Sequence, residues 1–187
     1  MEKLTTTFFE KSPVVCAREL IGCLFQWKGC VGRIVETEAY LSAGDPACHT
    51  WFRPSARSFV ETHRAGEAYV YLNYGVHWMF NVLVKSEEGS GFVLFRALEP
   101  VSGLESMRAR REGVADRSLA SGPGKLTCAL GIDGAHHGID FLKSLECGIL
   151  KGEPVVSIAG PRIGITKAVE LPWRFGDPKS PSLSRKF

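Results

Sequence analysis

Glu36, Glu38, Tyr40 and His49 crowd a short part of the chain, the first three within Val35-Glu36-Thr37-Glu38-Ala39-Tyr40. If that stretch is a strand, alternate side chains face opposite ways, so Glu36, Glu38 and Tyr40 project together and Val35 and Thr37 oppose them. Two carboxylates two residues apart would stand about 6–7 Å apart at their Cα atoms, a spacing that admits one acid and one base at a sugar bond. Such pairs usually come from different strands, so a single carboxylate acting as general base is the simpler design. A solvated strand end would also account for both glutamates, since Glu is mostly an exposed residue.

Other residues weigh on that choice. The run Phe92-Val93-Leu94-Phe95-Arg96-Ala97 reads as a strand with Arg96 on the side of Phe92 and Leu94. A cation on an apolar face needs a carboxylate or a phosphate. The tyrosines are Tyr40, Tyr69, Tyr71 and Tyr74, all in one part of the chain. Together with His49 they could sandwich a planar ligand, each stacking contact being worth about 1–3 kcal/mol. Tyr74-Gly75 reads as a hairpin turn, where a bulky ring is hard to bury.

Several chemistries are disfavoured. The six cysteines contain no Cys-x-x-Cys pair, which argues against a zinc site and a disulfide framework and for reduced, mostly buried thiols. Ser121-Gly122-Pro123-Gly124-Lys125-Leu126 resembles a phosphate loop, but Leu119 stands where the first glycine belongs and Leu126 where Ser or Thr should follow the lysine. Its glycines and Lys125 could still meet a nucleic-acid phosphate. His136-His137 reads as surface.

The elements that must position these residues are legible in outline. Ser12-Pro13 opens a short helix that Gly22 stops. Cys23–Trp27 and Val31–Glu38 form a hairpin around Lys28-Gly29-Cys30, and Ala68–Asn73 with Val76–Val84 form a second. Residues 42–67 carry Gly44, Pro46, Pro54 and Gly66 without periodicity and read as a long loop, with His49, Trp51, Arg53 and Arg57 favouring a functional one. Ser102-Gly103-Leu104-Glu105 matches a capping box opening a helix that ends at Arg108–Arg111. Val155–Ala159 reads as a buried strand before a basic tail.

The 187 residues, 44% hydrophobic and 23% charged, fit one soluble domain spanning 1–187, of mixed α/β (α+β) class with a largely antiparallel sheet. No apolar run is long enough for a bilayer and no leader pattern opens the chain, so a cytoplasmic location is expected. The net charge of +3 does not by itself imply nucleic acid, although basic residues cluster after Gly160 and at Arg108–Arg111.

Gly32–Leu41, Cys48-His49, Tyr69–Gly75, Asn81, Leu94–Pro100, Ser121–Leu126 and Arg162–Ile165 occur in an order that resembles the alkyladenine (3-methyladenine) DNA glycosylase family. The resemblance runs from about Ser12 to Phe175 and implies a curved sheet with surrounding helices and a protruding β-hairpin that intercalates in DNA. It implies a monofunctional, monomeric enzyme acting on double-stranded DNA, releasing alkylated or deaminated purines such as 3-methyladenine, 7-methylguanine, hypoxanthine and ethenoadenine. A nucleoid-associated place would follow in a bacterium.

By position, the resemblance makes Glu38 the base that activates water, with Arg96 and a backbone carbonyl near Ile163 helping to hold that water. Tyr40, His49 and Tyr71 sandwich the flipped base, Asn81 disfavours guanine, and Tyr74 fills the gap left in the stack. Arg57, Lys125 and Arg162 are expected at the DNA backbone, Glu36 is support, and neither metal nor organic cofactor follows. Ser55-Ala56-Arg57-Ser58 departs from the family's Thr-Pro-Arg-Asn type segment, which bears on lesion range. A noncatalytic damaged-DNA-binding module with the same aromatic pocket, and a carbohydrate hydrolase using Glu36 and Glu38, are the competing readings.

Overall fold

A computed structural model describes residues 2–187. Its eight strands are β1 (Leu24–Trp27), β2 (Cys30–Leu41), β3 (Ala68–Asn73), β4 (His77–Ser86), β5 (Gly89–Ser102), β6 (Cys147–Leu150), β7 (Ile158–Gly160) and β8 (Arg174–Gly176). They form one sheet of order β3-β4-β5-β2-β1-β6, with β8 pairing β2 and β7, and every pairing is antiparallel. The α-helices are α1 (Pro13–Glu19), α2 (His49–Phe52), α3 (Pro54–Thr62), α4 (Leu104–Arg110) and α5 (Pro123–Leu130). The chain is therefore mixed α/β on an antiparallel sheet, and both expected hairpins form, as β1–β2 and β3–β4.

Two apolar clusters fix the sheet. The larger gathers Phe25, Trp27, Phe80, Phe95 and Phe141 with α1 and α5 residues such as Cys16, Ala17, Leu126 and Ala129. Each fully buried Phe side chain contributes about 1.5–3 kcal/mol. The smaller joins Cys48, Ala56 and Phe59 to Tyr69, Leu83 and Phe92, and so seats α2 and α3 on the sheet. This second cluster brings His49 over the strands.

β2 is the strand on which the rest depends. Its Glu36–Glu38 segment is paired on one side with β5 and on the other with β8, which removes both glutamates from water. Its pairing with β5 is irregular in three places, one at Val31/Gly32 and two beside the glutamates. Ile34 faces Leu98 while Glu36 faces Ala97, leaving Val35 unmatched, and Glu36 faces Ala97 while Thr37 faces Phe95, leaving Arg96 unmatched. Such bulges re-aim side chains. Arg96 is thereby carried between the two carboxylates.

Three expectations about local structure are corrected. Residues 42–67 are not a structureless loop but hold α2 and α3, with Pro54 at the first turn of α3, where its missing N–H costs nothing. Ser102 ends β5 and no capping box forms, because Gly103 at φ 75° precedes α4 without a side-chain cap. Val155–Ala159 is not a buried strand: only Ile158 and Ala159 of that run enter β7, and Val156 is exposed. The basic cluster is largely tied to the protein itself, Arg108 to Asp116, Arg110 to Ala129 O and Arg111 to Ser118 O and Leu119 O.

Cys128 is exposed and the other five cysteines are buried and free. No helix among the described residues is long and apolar enough to cross a membrane.

Candidate active site

One row of cross-strand partners runs through the site. Tyr69 faces Asn81, Asn81 faces Leu94, Leu94 faces Glu38 and Glu38 faces Arg174, so five strands contribute one residue each. Residues directly opposite in a ladder share a face. The rows on either side add Tyr71 opposite Met79 and Tyr40 opposite Phe92. The sheet face thus changes along the row from aromatic to ionic.

Glu38 sits at the ionic end, wholly buried. Its Oε1 accepts from the Ile163 N–H at 2.7 Å, and its Oε2 accepts from the Tyr40 hydroxyl at 2.8 Å and from Arg96 Nη1 at 3.2 Å. A carboxylate has about four acceptor positions, so three donors leave capacity for one more O–H. Burial raises the Glu38 pKa from its ordinary 4.5, against the lowering pull of the Arg96 charge, the Ile163 N–H and the Tyr40 hydroxyl. Proton affinity is raised while the ionised form keeps its donors, which suits a general base.

Glu36 is differently placed. It accepts from Arg96 Nε at 2.9 Å, Arg174 Nη1 at 3.2 Å, the Ser184 N–H at 2.7 Å and the Ser184 hydroxyl at 2.8 Å. Four donors saturate it, and whereas Glu38 is bonded to Tyr40 and Ile163 of the cavity wall, Glu36 is bonded to Arg174 and Ser184, which are not part of that wall. The geometry gives the two carboxylates different work, against an acid–base pair at a sugar bond. Glu36 anchors Arg96, whose fork then reaches Glu38, and the C-terminal residues 184–187 close over this anchor with Phe187 against the Arg174 guanidinium.

In front of Glu38 lies a cavity of about 770 Å³ lined by Tyr40, His49, Tyr69, Tyr71, Asn81, Leu94, Arg96 and Ile163, among others. This is within the usual range for small-molecule pockets. Glu38 stands directly behind the wall made by its own partners Tyr40, Arg96 and Ile163. His49 opens α2 with its ring 4.3 Å from that of Tyr71, edge to face, and its Nδ1 is 3.1 Å from the Tyr69 hydroxyl. Burial, with a smaller contribution from the Arg53 charge, pushes the His49 pKa down to about 4, so its imidazole is neutral at pH 7. Asn81 is buried, its Nδ2 donating to Tyr69 O at 3.1 Å.

The turn that carries α2 is held by Asp45. Its carboxylate accepts from the Leu41 and Ala47 N–H groups and receives both Nη atoms of Arg162 at 2.6 and 2.9 Å. Arg162 also donates to Ala39 O and lies over the Tyr40 ring, 4.7 Å from its centroid. Arg162 was expected at the DNA backbone, and the structure corrects this: it is 5% exposed and consumed by Asp45. Its work is to brace Tyr40 and the approach to His49. At Glu38 itself the backbone group from this segment is the Ile163 amide.

The remaining positions stand apart from the cavity floor. Tyr74 is 89% exposed at the tip of the β3–β4 hairpin, with φ 50°. Arg57 and Lys125 are exposed, Arg57 donating to Thr50 O at 2.7 Å. Tyr69, one of the clustered tyrosines, lines the cavity as well, and Met79 and Leu94 join the lining without having been singled out as pocket residues.

Residues 7–181 match the family described as methylpurine-DNA glycosylase. A protein of Rhodopseudomonas palustris strain HaA2, provisionally named a 3-methyladenine DNA glycosylase, is 49% identical over 176 residues, covering 92% of this chain and 86% of its own length. Proteins with the same provisional name in Bradyrhizobium diazoefficiens and Chlorobaculum tepidum are 43% and 39% identical, covering 98% and 99% of this chain and 92% of their own lengths in both cases. With a match that takes in every strand of the sheet and every residue around Glu38, the chain belongs to the methylpurine-DNA glycosylase family.

Proposed function

We propose that the protein is a monofunctional DNA glycosylase that takes an alkylated or deaminated purine out of double-stranded DNA and hydrolyses its N-glycosidic bond. The observation that carries the reading is the buried Glu38, held by Arg96, Tyr40 and the Ile163 amide directly behind an aromatic cavity. Glu38 takes a proton from water as the water oxygen bonds to the sugar C1′, and the electron pair of the C1′–N bond leaves with the base. A positioned general base supplies about 10²- to 10⁴-fold. Arg96 keeps Glu38 oriented and shares its charge, so the carboxylate remains available as a base despite burial.

The substrate base lies between Tyr40, Tyr71 and His49, with Asn81 crowding an exocyclic amino group such as that of guanine. Extrusion of the nucleotide costs a few kcal/mol, least for a poorly paired lesion. Tyr74 at the hairpin tip offsets part of this by entering the stack, as apolar wedges do in the minor groove. Arg57 and Lys125 meet phosphates, and the protein acts as a monomer. No lyase step accompanies base release: the lysine at the cavity, Lys167, is exposed on its rim and is not among the groups bonded to Glu38.

The test uses a labelled duplex with one hypoxanthine or one 3-methyladenine. The wild type is expected to leave an abasic site that breaks only after alkali, and Glu38→Gln to bind the same duplex without releasing the base. Normal turnover by Glu38→Gln removes Glu38 from its role, and strand breakage without alkali, with borohydride trapping of an adduct, contradicts the monofunctional reading. Binding without release by the wild type on every lesion returns the protein to a noncatalytic DNA-binding module.

A further inference from the structure

The cavity wall holds one arginine that the catalytic network does not use. Arg53, between α2 and α3, lines the cavity, with its guanidinium carbon 5.5 Å from the centroid of the Tyr71 ring and 5.8 Å from that of Phe52. The other two arginines at the site have carboxylates: Arg96 has Glu36 and Glu38, and Arg162 has Asp45. Among the described residues Arg53 is in no ion pair, although it is half-buried. Its charge is felt by the pocket groups, helping burial to depress His49 and partly countering burial at Tyr69 and Tyr71.

We propose that Arg53 sets the charge preference of the pocket, favouring neutral purine lesions such as hypoxanthine over cationic N-alkylated ones such as 7-methylguanine. This rests on the glycosylase reading given above. A base stacked on Tyr71 shares that ring with the Arg53 guanidinium. A cationic base is therefore repelled, and it gains less from an aromatic face already engaged by a cation.

The leaving group is affected in the opposite sense. When the C1′–N bond of a cationic lesion breaks, its electron pair neutralises the departing base. When the same bond of a neutral lesion breaks, the electron pair makes the departing base an anion, which is protonated afterwards from solvent. In both cases the water oxygen bonds to C1′ and its proton passes to Glu38. A fixed guanidinium beside the ring stabilises the anion that develops in the second case and offers nothing to the first. Arg53 thus weakens binding of cationic bases and assists departure of neutral ones, and both effects move the ratio of the two activities in one direction.

The experiment measures single-turnover release of hypoxanthine and of 7-methylguanine from otherwise identical duplexes, with spontaneous depurination subtracted, for the wild type, Arg53→Gln, Arg53→Met and Arg53→Lys. The ratio of hypoxanthine to 7-methylguanine rates is expected to fall roughly tenfold, or about 1.4 kcal/mol, in the Gln and Met variants and to stay near the wild-type value in Lys. Circular dichroism establishes that each variant is folded, and either neutral variant suffices. An unchanged ratio, including one in which both rates fall together with a shallower salt dependence, overturns the proposal and makes Arg53 a phosphate contact. A rise in the ratio also overturns it. A wild type that releases neither base fails the glycosylase reading itself, whereas one that releases either base with an unmoved ratio fails only the role of Arg53.

Discussion

The Ile163 amide and the Glu38 carboxylate meet at 2.7 Å although 125 positions separate them. The segment after β7 therefore reaches back to the middle of β2 and supplies one of the three donors that favour the ionised form of the Glu38 carboxylate. Those donors work against burial, which acts in the other direction and prevails, so the pKa of Glu38 lies above its ordinary 4.5.

A pH prediction follows from that balance. Only ionised Glu38 can take a proton from water, so base release falls as pH drops through the raised pKa, and the midpoint of the acid limb is expected above 4.5. Arg96 is the largest lowering influence on Glu38, so Arg96→Met is expected to move that limb to still higher pH while also slowing release. Single-turnover rates between pH 4 and 9 check both. A midpoint at or below 4.5, or one unmoved by Arg96→Met, contradicts this account.

The support beneath the base can be tested separately. The Ser184 hydroxyl lies 2.8 Å from Glu36 and 3.2 Å from Arg96, so Ser184→Ala deletes two bonds to charged, buried partners while the Ser184 amide still reaches Glu36. The expected loss is about 1–3 kcal/mol, read as a lower urea midpoint with unchanged slope. Release should slow at saturating DNA more than affinity falls, since what loosens is Arg96 and not the pocket wall. Weakened binding with an unchanged saturating rate would argue that Ser184 does not act through Arg96.

Much of this geometry was legible in the sequence because it is local. The period of two put Glu36, Glu38 and Tyr40 on one face, and turn residues marked both hairpins. What stayed hidden depends on distant partners or on competing local signals. Arg162 looked like one more basic residue in a basic tail until Asp45, 117 positions away, was found to consume its charge. The two bulges that carry Arg96 between the glutamates leave no mark on the apolar pattern of β5. Pro54 is equally at home in a loop and at a helix start, where it stands in α3, and the apolar run Val155–Ala159 has no strand beside most of it to pair with.

Arg162 and Asp45 should therefore matter to folding more than to DNA charge. Arg162→Met leaves a buried carboxylate without its partner, and truncating one side of such a pair costs about 3–5 kcal/mol. A large drop in thermal midpoint is expected, with the salt dependence of DNA affinity unchanged in the fraction that remains folded. The double variant Arg162→Met/Asp45→Asn should recover part of the loss, because the unpaired charge is gone. A shallower salt slope with undiminished stability would instead return Arg162 to the phosphates.

Tyr74 offers the sharpest separation of stability from function. It is 89% exposed and held at φ 50°, a left-handed conformation that costs a non-glycine residue roughly 1–2 kcal/mol and that asparagine tolerates better. No packing in the free protein recovers that cost, so an aromatic ring at this position is to be explained by what it meets in the complex. Tyr74→Asn should leave the thermal midpoint unchanged or raise it, while slowing release from a paired duplex by about tenfold, the equivalent of one lost stacking contact. The deficit should shrink when the lesion is mispaired or single-stranded, because less stacking must then be replaced. Equal slowing on paired and unpaired substrates would mean that Tyr74 contributes general affinity, and that the extruded base is held by the pocket alone.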